Sequence, residues 1–88
     1  MFKDGLNETK DGRKKWFLNG KYHREDGPAY ISELLQSWWF EGKRHRTDGP
    51  AVEYIGSGSF KEWWYHGVKI DCSSQQQFEK LIKMKAFW

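Results

Sequence analysis

The feature that most constrains this chain is a string of residues that occurs twice. Residues 19–29 read NGKYHREDGPA and residues 41–51 read EGKRHRTDGPA, so the second copy begins 22 residues after the first. A period of this length matches one supersecondary unit, and such units usually bury their apolar faces by stacking on their neighbours. The sequence therefore predicts a small array of stacked units.

Three aromatic runs mark three copies of the unit, and each run is followed by one residue and then a glycine. The runs are Trp16-Phe17-Leu18, Trp38-Trp39-Phe40 and Trp63-Trp64-Tyr65. The glycines at 20, 42 and 67 are spaced by 22 and then 25 residues, because IGSGSF at 55–60 lengthens a loop. We predict one domain, 1–88, with a degenerate half-repeat at 1–13, repeats at 14–35, 36–60 and 61–71, and a helix at 74–87.

Each unit has the composition of paired strands. Trp, Phe and Tyr favour a pleated sheet, and Asn19-Gly20 is a strong hairpin-turn signal because both residues tolerate positive φ. Asp-Gly-Pro forms a second turn in each copy. We interpret the string as architecture, with an Arg–Asp or His–Asp hydrogen bond across each turn. The residues given this structural role are His23, Asp26, Gly27, Pro28, His45, Asp48, Gly49 and Pro50.

The C-terminal segment changes period. Ser73 or Ser74 offers an N-cap, and residues 74–77 fit a capping box. Phe78, Leu81, Ile82 and Ala86 then recur at helical spacing on one face. The predicted fold class is therefore mainly β, an antiparallel meander of hairpin repeats finished by one α-helix.

Composition narrows the class of protein. Of the 88 residues, 18% are aromatic, which argues against intrinsic disorder, and the net charge of +3 permits but does not require a polyanionic partner. The single cysteine, Cys72, excludes an internal disulfide, so a reducing cytoplasm is the expected location. No apolar run suits a signal peptide or a membrane span.

The histidines invite two chemical interpretations, and both are set aside. His23 with Asp26, and His45 with Asp48, suggest acid–base catalysis, but a duplicated string is more simply architecture, and no enzyme is predicted. A metal site would need His66 to join His23 and His45. His66 aligns with Asn19 and Glu41 of the other repeats, so the three imidazoles are not expected to converge. No metal and no cofactor are predicted.

Strand alternation predicts two aromatic columns. Phe17, Trp39 and Trp64 form one column. This column is buried by the twisted sheet or by a dimer partner, or else it binds a ligand. Lysines and arginines flank these rings, a combination that suits single-stranded nucleic acid and RNA, although a solvated surface explains the charges equally well. The predicted nucleic-acid-binding residues are Lys14, Lys15, Phe17, Lys21, Arg24, Trp39, Lys43, Arg44, Arg46, Lys61 and Trp64.

The unit WxxNGKxHRxDGPA resembles MORN-type repeats, especially the shorter antitoxin-associated variant, and it is similar to HRxDGPA repeats of small bacteriophage proteins. The resemblance covers about residues 14–67 and implies a MORN-like fold. It also implies a phage-encoded counter-defence factor that acts in the host cell cytoplasm and inhibits a host toxin or nuclease. The third unit departs from the pattern, because no HRxDGPA follows Gly67.

Three functions stay open at this point. The leading hypothesis is a non-enzymatic protein that binds RNA or other nucleic acid and thereby blocks a host toxin or nuclease. The alternative is a protein–protein interaction module, either a homodimer or an inhibitor of a host defence protein, without nucleic-acid binding. A further alternative is a sponge that captures a nucleotide messenger between repeats. None of the three has a membrane as its partner.

Overall fold

The computed structural model describes residues 4–56 and 60–84, and over these residues it confirms the mainly β, antiparallel meander with one C-terminal helix. The strands in this part of the chain are β1 (Gly5–Glu8), β2 (Lys14–Leu18), β3 (Lys21–Tyr22), β4 (Tyr30–Ile31), β5 (Leu35–Ser37), β6 (Trp39–Phe40), β7 (Lys43–Arg44), β8 (Val52–Tyr54), β9 (Lys61–Tyr65) and β10 (Val68–Ile70). The helix α1 spans Gln75–Lys83.

The strands follow one another across the sheet in nearly the order of the chain. The main sheet runs β1-β2-β4-β5-β8-β9-β10, with β3 beside the C-terminal end of β2, and β6 pairs with β7 in a second ladder. Every pairing in the described residues is antiparallel. Short connections between neighbouring strands produce this order, since sequential strands tend to lie side by side.

A tight turn closes each aromatic run. Asn19, Glu41 and His66 have φ values of 52°, 51° and 49°. The glycine after each of them is also at positive φ, at 79°, 81° and 81°. Two consecutive residues with positive φ form the turn that matches the twist of a β-hairpin. The recurring x-Gly pair is therefore what reverses the chain after each run.

The repeated string interrupts a strand opposite a tryptophan. The backbone N–H of Trp16 donates to the carbonyl of Ala29 at 2.8 Å, and its carbonyl accepts from the N–H of His23 at 3.0 Å. One residue of β2 therefore bonds to two residues that are six positions apart, and residues 24–28 loop out of the sheet. Trp38 makes the same pair of bonds with Ala51 and His45, so residues 46–50 loop out as well.

The arginine of the first looped-out string folds back over the tryptophan. The Arg24 guanidinium lies 3.8 Å from the centroid of the Trp16 ring. Its Nε donates to Asp26 Oδ1 at 2.9 Å, and its Nη1 donates to the Pro28 carbonyl at 3.1 Å. A Cβ placed on Gly27 would lie 2.9 Å from Arg24 Cζ, so the close approach of the guanidinium requires glycine there.

The second looped-out string repeats this geometry. Arg46 lies 3.8 Å from the Trp38 ring centroid and donates to Asp48 at 2.9 Å and to the Pro50 carbonyl at 3.1 Å. A Cβ on Gly49 would lie 2.7 Å from Arg46 Cζ. The Arg–Asp hydrogen bond considered from the sequence is therefore present in both copies, and it closes each loop around a guanidinium–indole contact.

The third unit replaces the string with the helix. Ile70 lies directly opposite Trp63 in an uninterrupted ladder, and these two residues form a buried cluster with Phe78 of α1. The Trp63 Nε1 donates to Gln75 Oε1 at 2.8 Å, and Gln75 Nε2 donates to the Thr47 carbonyl at 2.9 Å. The helix thus covers the third tryptophan and is tied to the second looped-out string.

The helix begins at the predicted cap. Ser74 Oγ accepts from the Gln77 N–H at 3.1 Å, and Gln77 Oε1 accepts from the N–H of Ser73 at 2.7 Å. The predicted residues 85–87 of the helix lie outside the described residues. Among the described helices, none has the length and apolar character that a membrane span needs.

The buried cluster generates a stability prediction. Phe78 is fully buried against Trp63 and Ile70, so Phe78→Ala should lower the free energy of unfolding by about 3–5 kcal/mol, measured by urea denaturation. Val68→Ala, at an exposed position of β10, should change the free energy by only about 0.5 kcal/mol. Equal effects of the two substitutions would show that α1 does not cover the third tryptophan.

Candidate functional site

The pairing of strands places the aromatic column on one face of the sheet. Residues directly opposite each other in an antiparallel pair share a face, and Phe17 lies opposite Tyr22 while Trp39 lies opposite Arg44. We call Phe17, Tyr22, Trp39, Arg44 and Trp64 the aromatic face. The opposite side, which carries Trp16, Trp38 and the looped-out strings, is called the loop face.

The five residues of the aromatic face form a continuous stack. Phe17 and Tyr22 have ring centroids 4.9 Å apart, and those of Tyr22 and Trp39 are 5.2 Å apart. The Arg44 guanidinium follows, 5.1 Å from the Trp39 centroid and 4.9 Å from the Trp64 centroid. Rings from one strand therefore alternate with side chains from its hairpin partner, and Arg44 occupies in the second unit the place that Tyr22 occupies in the first.

The stack is partly buried within the protein itself. Phe17 is only 6% exposed, and Trp39 and Trp64 are half-buried. Their indole N–H groups are bonded, Trp39 to Ser37 Oγ at 2.8 Å and Trp64 to Glu62 Oε1 at 3.0 Å. The sequence left open whether the column of Phe17, Trp39 and Trp64 is covered or binds a ligand. In the structure the column is covered in large part by neighbouring side chains of the same chain. No base could stack on Phe17 without displacing Tyr22.

Arg44 differs from the other arginines of the described chain. Arg13, Arg24 and Arg46 each have a carboxylate within 3.2 Å. Arg44 has no ion pair within residues 4–56 and 60–84, and its Nε is buried without a hydrogen-bond partner there. A guanidinium that lies between two indoles and lacks an acid keeps its charge for a ligand, and because its Nε is buried, only its two Nη groups can donate to that ligand.

The remaining predicted binding residues lie on both faces. Lys15 is two residues before Phe17 on β2 and shares the aromatic face. Six others are on the loop face: Lys14, Lys21, Arg24, Lys43, Arg46 and Lys61. Within this group the arginines are engaged with tryptophan and aspartate, so the predicted residues do not form one surface. Lys43 and Arg44 are consecutive in β7 and must point to opposite sides.

The loop-face lysines have a structural contact of their own. A Cβ on Gly42 would lie 3.3 Å from the Lys21 side chain, and one on Gly67 would lie 3.5 Å from the Lys43 side chain. Each lysine stem thus packs over the turn of the next unit, while the residue as a whole stays exposed. These two lysines line the hairpin edge of the loop face.

Two residues on this side of the sheet were missed from the sequence. Tyr22 fills the stack between Phe17 and Trp39. Lys69 lies opposite Trp64 and pairs with Glu62 at 3.6 Å. The signal that could have found them is the hairpin register, because each is the second residue after a turn glycine and faces the middle residue of an aromatic run.

The histidines join consecutive repeats. His23 Nδ1 accepts the backbone N–H of Glu41 at 3.0 Å, and His45 Nδ1 accepts that of His66 at 2.9 Å. Asp4 takes this role in the half-repeat, where its Oδ1 accepts the N–H of Asn19 at 2.8 Å. Each of these side chains therefore holds the turn of the following unit in place.

Two of the three imidazoles lie in contact. The rings of His45 and His66 stack with centroids 4.3 Å apart. The reason is that His45 reaches forward by one unit, so alignment at equal repeat positions does not describe which residues meet. Within the described residues, no group of three or more potential metal ligands is found.

Comparison of the chain with protein-family models, with curated proteins and with solved structures found no match. The resemblance to MORN-type repeats therefore stays a prediction that rests on the repeated string.

The histidine contacts predict a pH-dependent stability. Burial lowers the pKa of His45, and the neighbouring His66 lowers the pKa further. Because the unfolded chain takes up this proton near pH 6.5 and the folded protein only at lower pH, stability should be constant above about pH 7 and fall as the pH drops through about 6.5. Urea unfolding at pH 7.5 and pH 5.0 measures the difference.

The matched variant for this test is His45→Asn, which keeps an acceptor for the His66 N–H but does not titrate. We expect His45→Asn to reduce the loss of stability between pH 7.5 and pH 5.0. An identical loss in the variant would show that other groups cause the pH dependence.

Proposed function

We propose that this protein is a non-enzymatic binding protein that engages single-stranded RNA or another nucleic acid through its aromatic face. The observation that carries the proposal is the Arg44 guanidinium, which lies between the Trp39 and Trp64 rings and has no acidic partner in the described chain. Proteins that bind single strands combine aromatic side chains with positive charge along the path of the nucleic-acid backbone.

The chemistry of Arg44 suits a phosphate or the edge of a base. A guanidinium presents paired N–H donors that match two phosphate oxygens or the O6 and N7 atoms of guanine. Lys15 adds positive charge on the same face, whereas the charge of Lys69 is paired with Glu62 at 3.6 Å. Because the spaces between the rings are already filled by Tyr22 and Arg44, the ligand meets the outer edge of the stack and does not intercalate into it.

The contacts of the repeated string support binding over catalysis. Both His23 and His45 use Nδ1 to accept a backbone N–H, and Asp26 and Asp48 accept from arginines. Neither aspartate therefore orients a histidine, as an acid–base pair would require.

The biological role follows from the resemblance to phage repeat proteins. We propose that the protein is phage-encoded and acts in the cytoplasm of the host. There it would block a host toxin or nuclease by occupying RNA that the toxin or nuclease needs. The observation supporting it is the doubled HRxDGPA string.

A second candidate function, a protein–protein module, is favoured by an exposed apolar cluster. Leu34 and Phe60 are 71% and 70% exposed, and Ile55 and Tyr54 between them are also exposed. The Ile55 N–H donates to the Leu34 carbonyl at 2.8 Å, and the Tyr54 and Phe60 rings meet edge to face with centroids 6.5 Å apart. Contiguous exposed apolar residues often mark interaction sites.

The test of nucleic-acid binding uses a variant supplied by the repeat itself. Arg44→Tyr introduces the residue that the first unit has at this position, so the stack should be retained while the charge is lost. We expect at least a tenfold loss of affinity for a labelled 12-nucleotide single-stranded RNA in 50 mM salt, measured by fluorescence anisotropy. Lys43→Gln, one residue away on the loop face, should have a smaller effect.

Thermal unfolding of both variants checks that the fold is retained. Failure of the natural chain to bind the RNA at 50 mM salt would contradict the proposal. Equal losses from Arg44→Tyr and Lys43→Gln would contradict the assignment of the aromatic face. Binding unchanged between 50 and 300 mM salt would count against phosphate contacts.

Under the second candidate function, Leu34→Ser with Phe60→Ser should abolish self-association, measured by sedimentation.

A further inference from the structure

The two looped-out strings enclose a groove on the loop face. Its volume is about 720 Å³, and its walls are residues 24–28 of the first string and residues 46–48 of the second. Trp38, Phe40 and His45 line the groove between these walls. This groove lies on the opposite side of the sheet from the aromatic face.

The positive charges in the walls are already compensated. Arg24 bonds to Asp26 and to a backbone carbonyl, and Arg46 bonds to Asp48, to a carbonyl and to Glu53 Oε1 at 2.9 Å. Both guanidinium planes also lie on tryptophan rings. The arginines of the groove are therefore held as part of the fold and have little left for a ligand.

The negative charges in the walls face water. The Asp26 and Asp48 side chains are 86% and 84% exposed although each accepts one arginine N–H. Glu25 is exposed as well. The hydrogen bond from each arginine lowers the pKa of its aspartate. Asp26 and Asp48 are the acids that compensate the two arginines, so a cationic ligand can meet Glu25 and the second carboxylate oxygen of each aspartate. The net charge of the chain is +3.

The exposed Phe40 ring, with carboxylates on both sides, fits a cationic side chain, whereas the Trp38 ring already carries the Arg46 guanidinium. Guanidinium and ammonium groups are attracted to the faces of aromatic rings, and carboxylates pair with them. A nucleotide brings phosphates to the same carboxylates, so this groove does not suit the nucleotide-messenger hypothesis.

The spacing of the two aspartates restricts the ligand further. Equivalent positions in consecutive units are two strands apart, which is about 10 Å. A polyproline II helix has three residues per turn and a rise of about 3.1 Å per residue, so side chains at i and i+3 lie on one side, about 9 Å apart. Aromatic-lined grooves are a usual binding site for this conformation.

We propose that the groove between the two strings binds a basic polypeptide segment in the polyproline II conformation, with arginine or lysine at i and i+3 paired to Asp26 and Asp48 above Phe40. The partner is a polypeptide of this chemistry, and the site is independent of nucleic-acid binding on the aromatic face. Both walls are fixed by the arginine contacts in the free protein, so little ordering is needed when the segment binds.

The probe is a fluorescent PPRPPRPP peptide, compared with PPEPPEPP and with PRRPPPPP, which has the same composition but adjacent arginines. The full chain should bind PPRPPRPP at least tenfold more tightly than either of the other two. Asp26→Asn with Asp48→Asn should weaken binding at least tenfold, because asparagine still accepts the arginine N–H but has no charge. Glu33→Gln, an exposed acid outside the groove, is the matched control and should leave binding unchanged.

Thermal unfolding checks that the double asparagine variant is folded, and chemical shift changes confined to the groove locate the peptide on the natural chain. Equal binding of PPRPPRPP and PRRPPPPP would overturn the assigned spacing. Equal binding of PPEPPEPP, or no effect of the asparagine substitutions, would overturn the site. Arg44→Tyr should not alter peptide binding, so this proposal and the RNA proposal fail separately.

Discussion

The guanidinium of Arg46 lying on the indole of Trp38 explains why the chain repeats its string. A strand that leaves the sheet for five residues uncovers the tryptophan opposite the gap, and Arg46 covers it at 3.8 Å. Asp48 compensates the charge, and Gly49 leaves room for the guanidinium. Outside the loop, His45 closes the ladder with its backbone and fixes the next turn with its ring. The histidine, arginine, aspartate and glycine of the string therefore each have a contact that depends on the residue type.

The third unit shows what happens when this contact is removed. Ile70 and Asp71 stand where the second unit has His45 and Arg46, so Trp63 has no arginine to cover it. Phe78 and Gln75 of the helix take that place. The same tryptophan position is thus covered by a looped-out arginine in two units and by a helix in the last, and the resulting sheet has a stack of rings on one face and a carboxylate-lined groove on the other.

Local chemistry was enough to predict much of this fold. The x-Gly turns, the aromatic strands and the Ser74 cap depend on neighbours in sequence, and the structure contains each of them. Contacts between units were not predictable in the same way. His45 meets a turn 21 residues ahead, and Arg44 is placed by Trp64, both because units stack with an offset that no local pattern encodes. Lys43 and Arg44 lie on opposite faces because successive side chains of a strand alternate, and this could have been predicted. The predicted binding surface nevertheless combined them, because basic residues were grouped by their proximity in the sequence.

The most direct measurement of the central claim is the NMR spectrum of the arginine side chains. If Arg24 and Arg46 lie on indoles and donate Nε–H to aspartate, their Hδ and Hε resonances should be displaced by the tryptophan ring currents, and their Nε–H protons should exchange slowly with water. Arg13, which has an exposed ion pair and no ring contact among the described residues, provides the reference. Ordinary shifts and fast exchange for Arg24 and Arg46, matching Arg13, would contradict the claim that these contacts build the repeat.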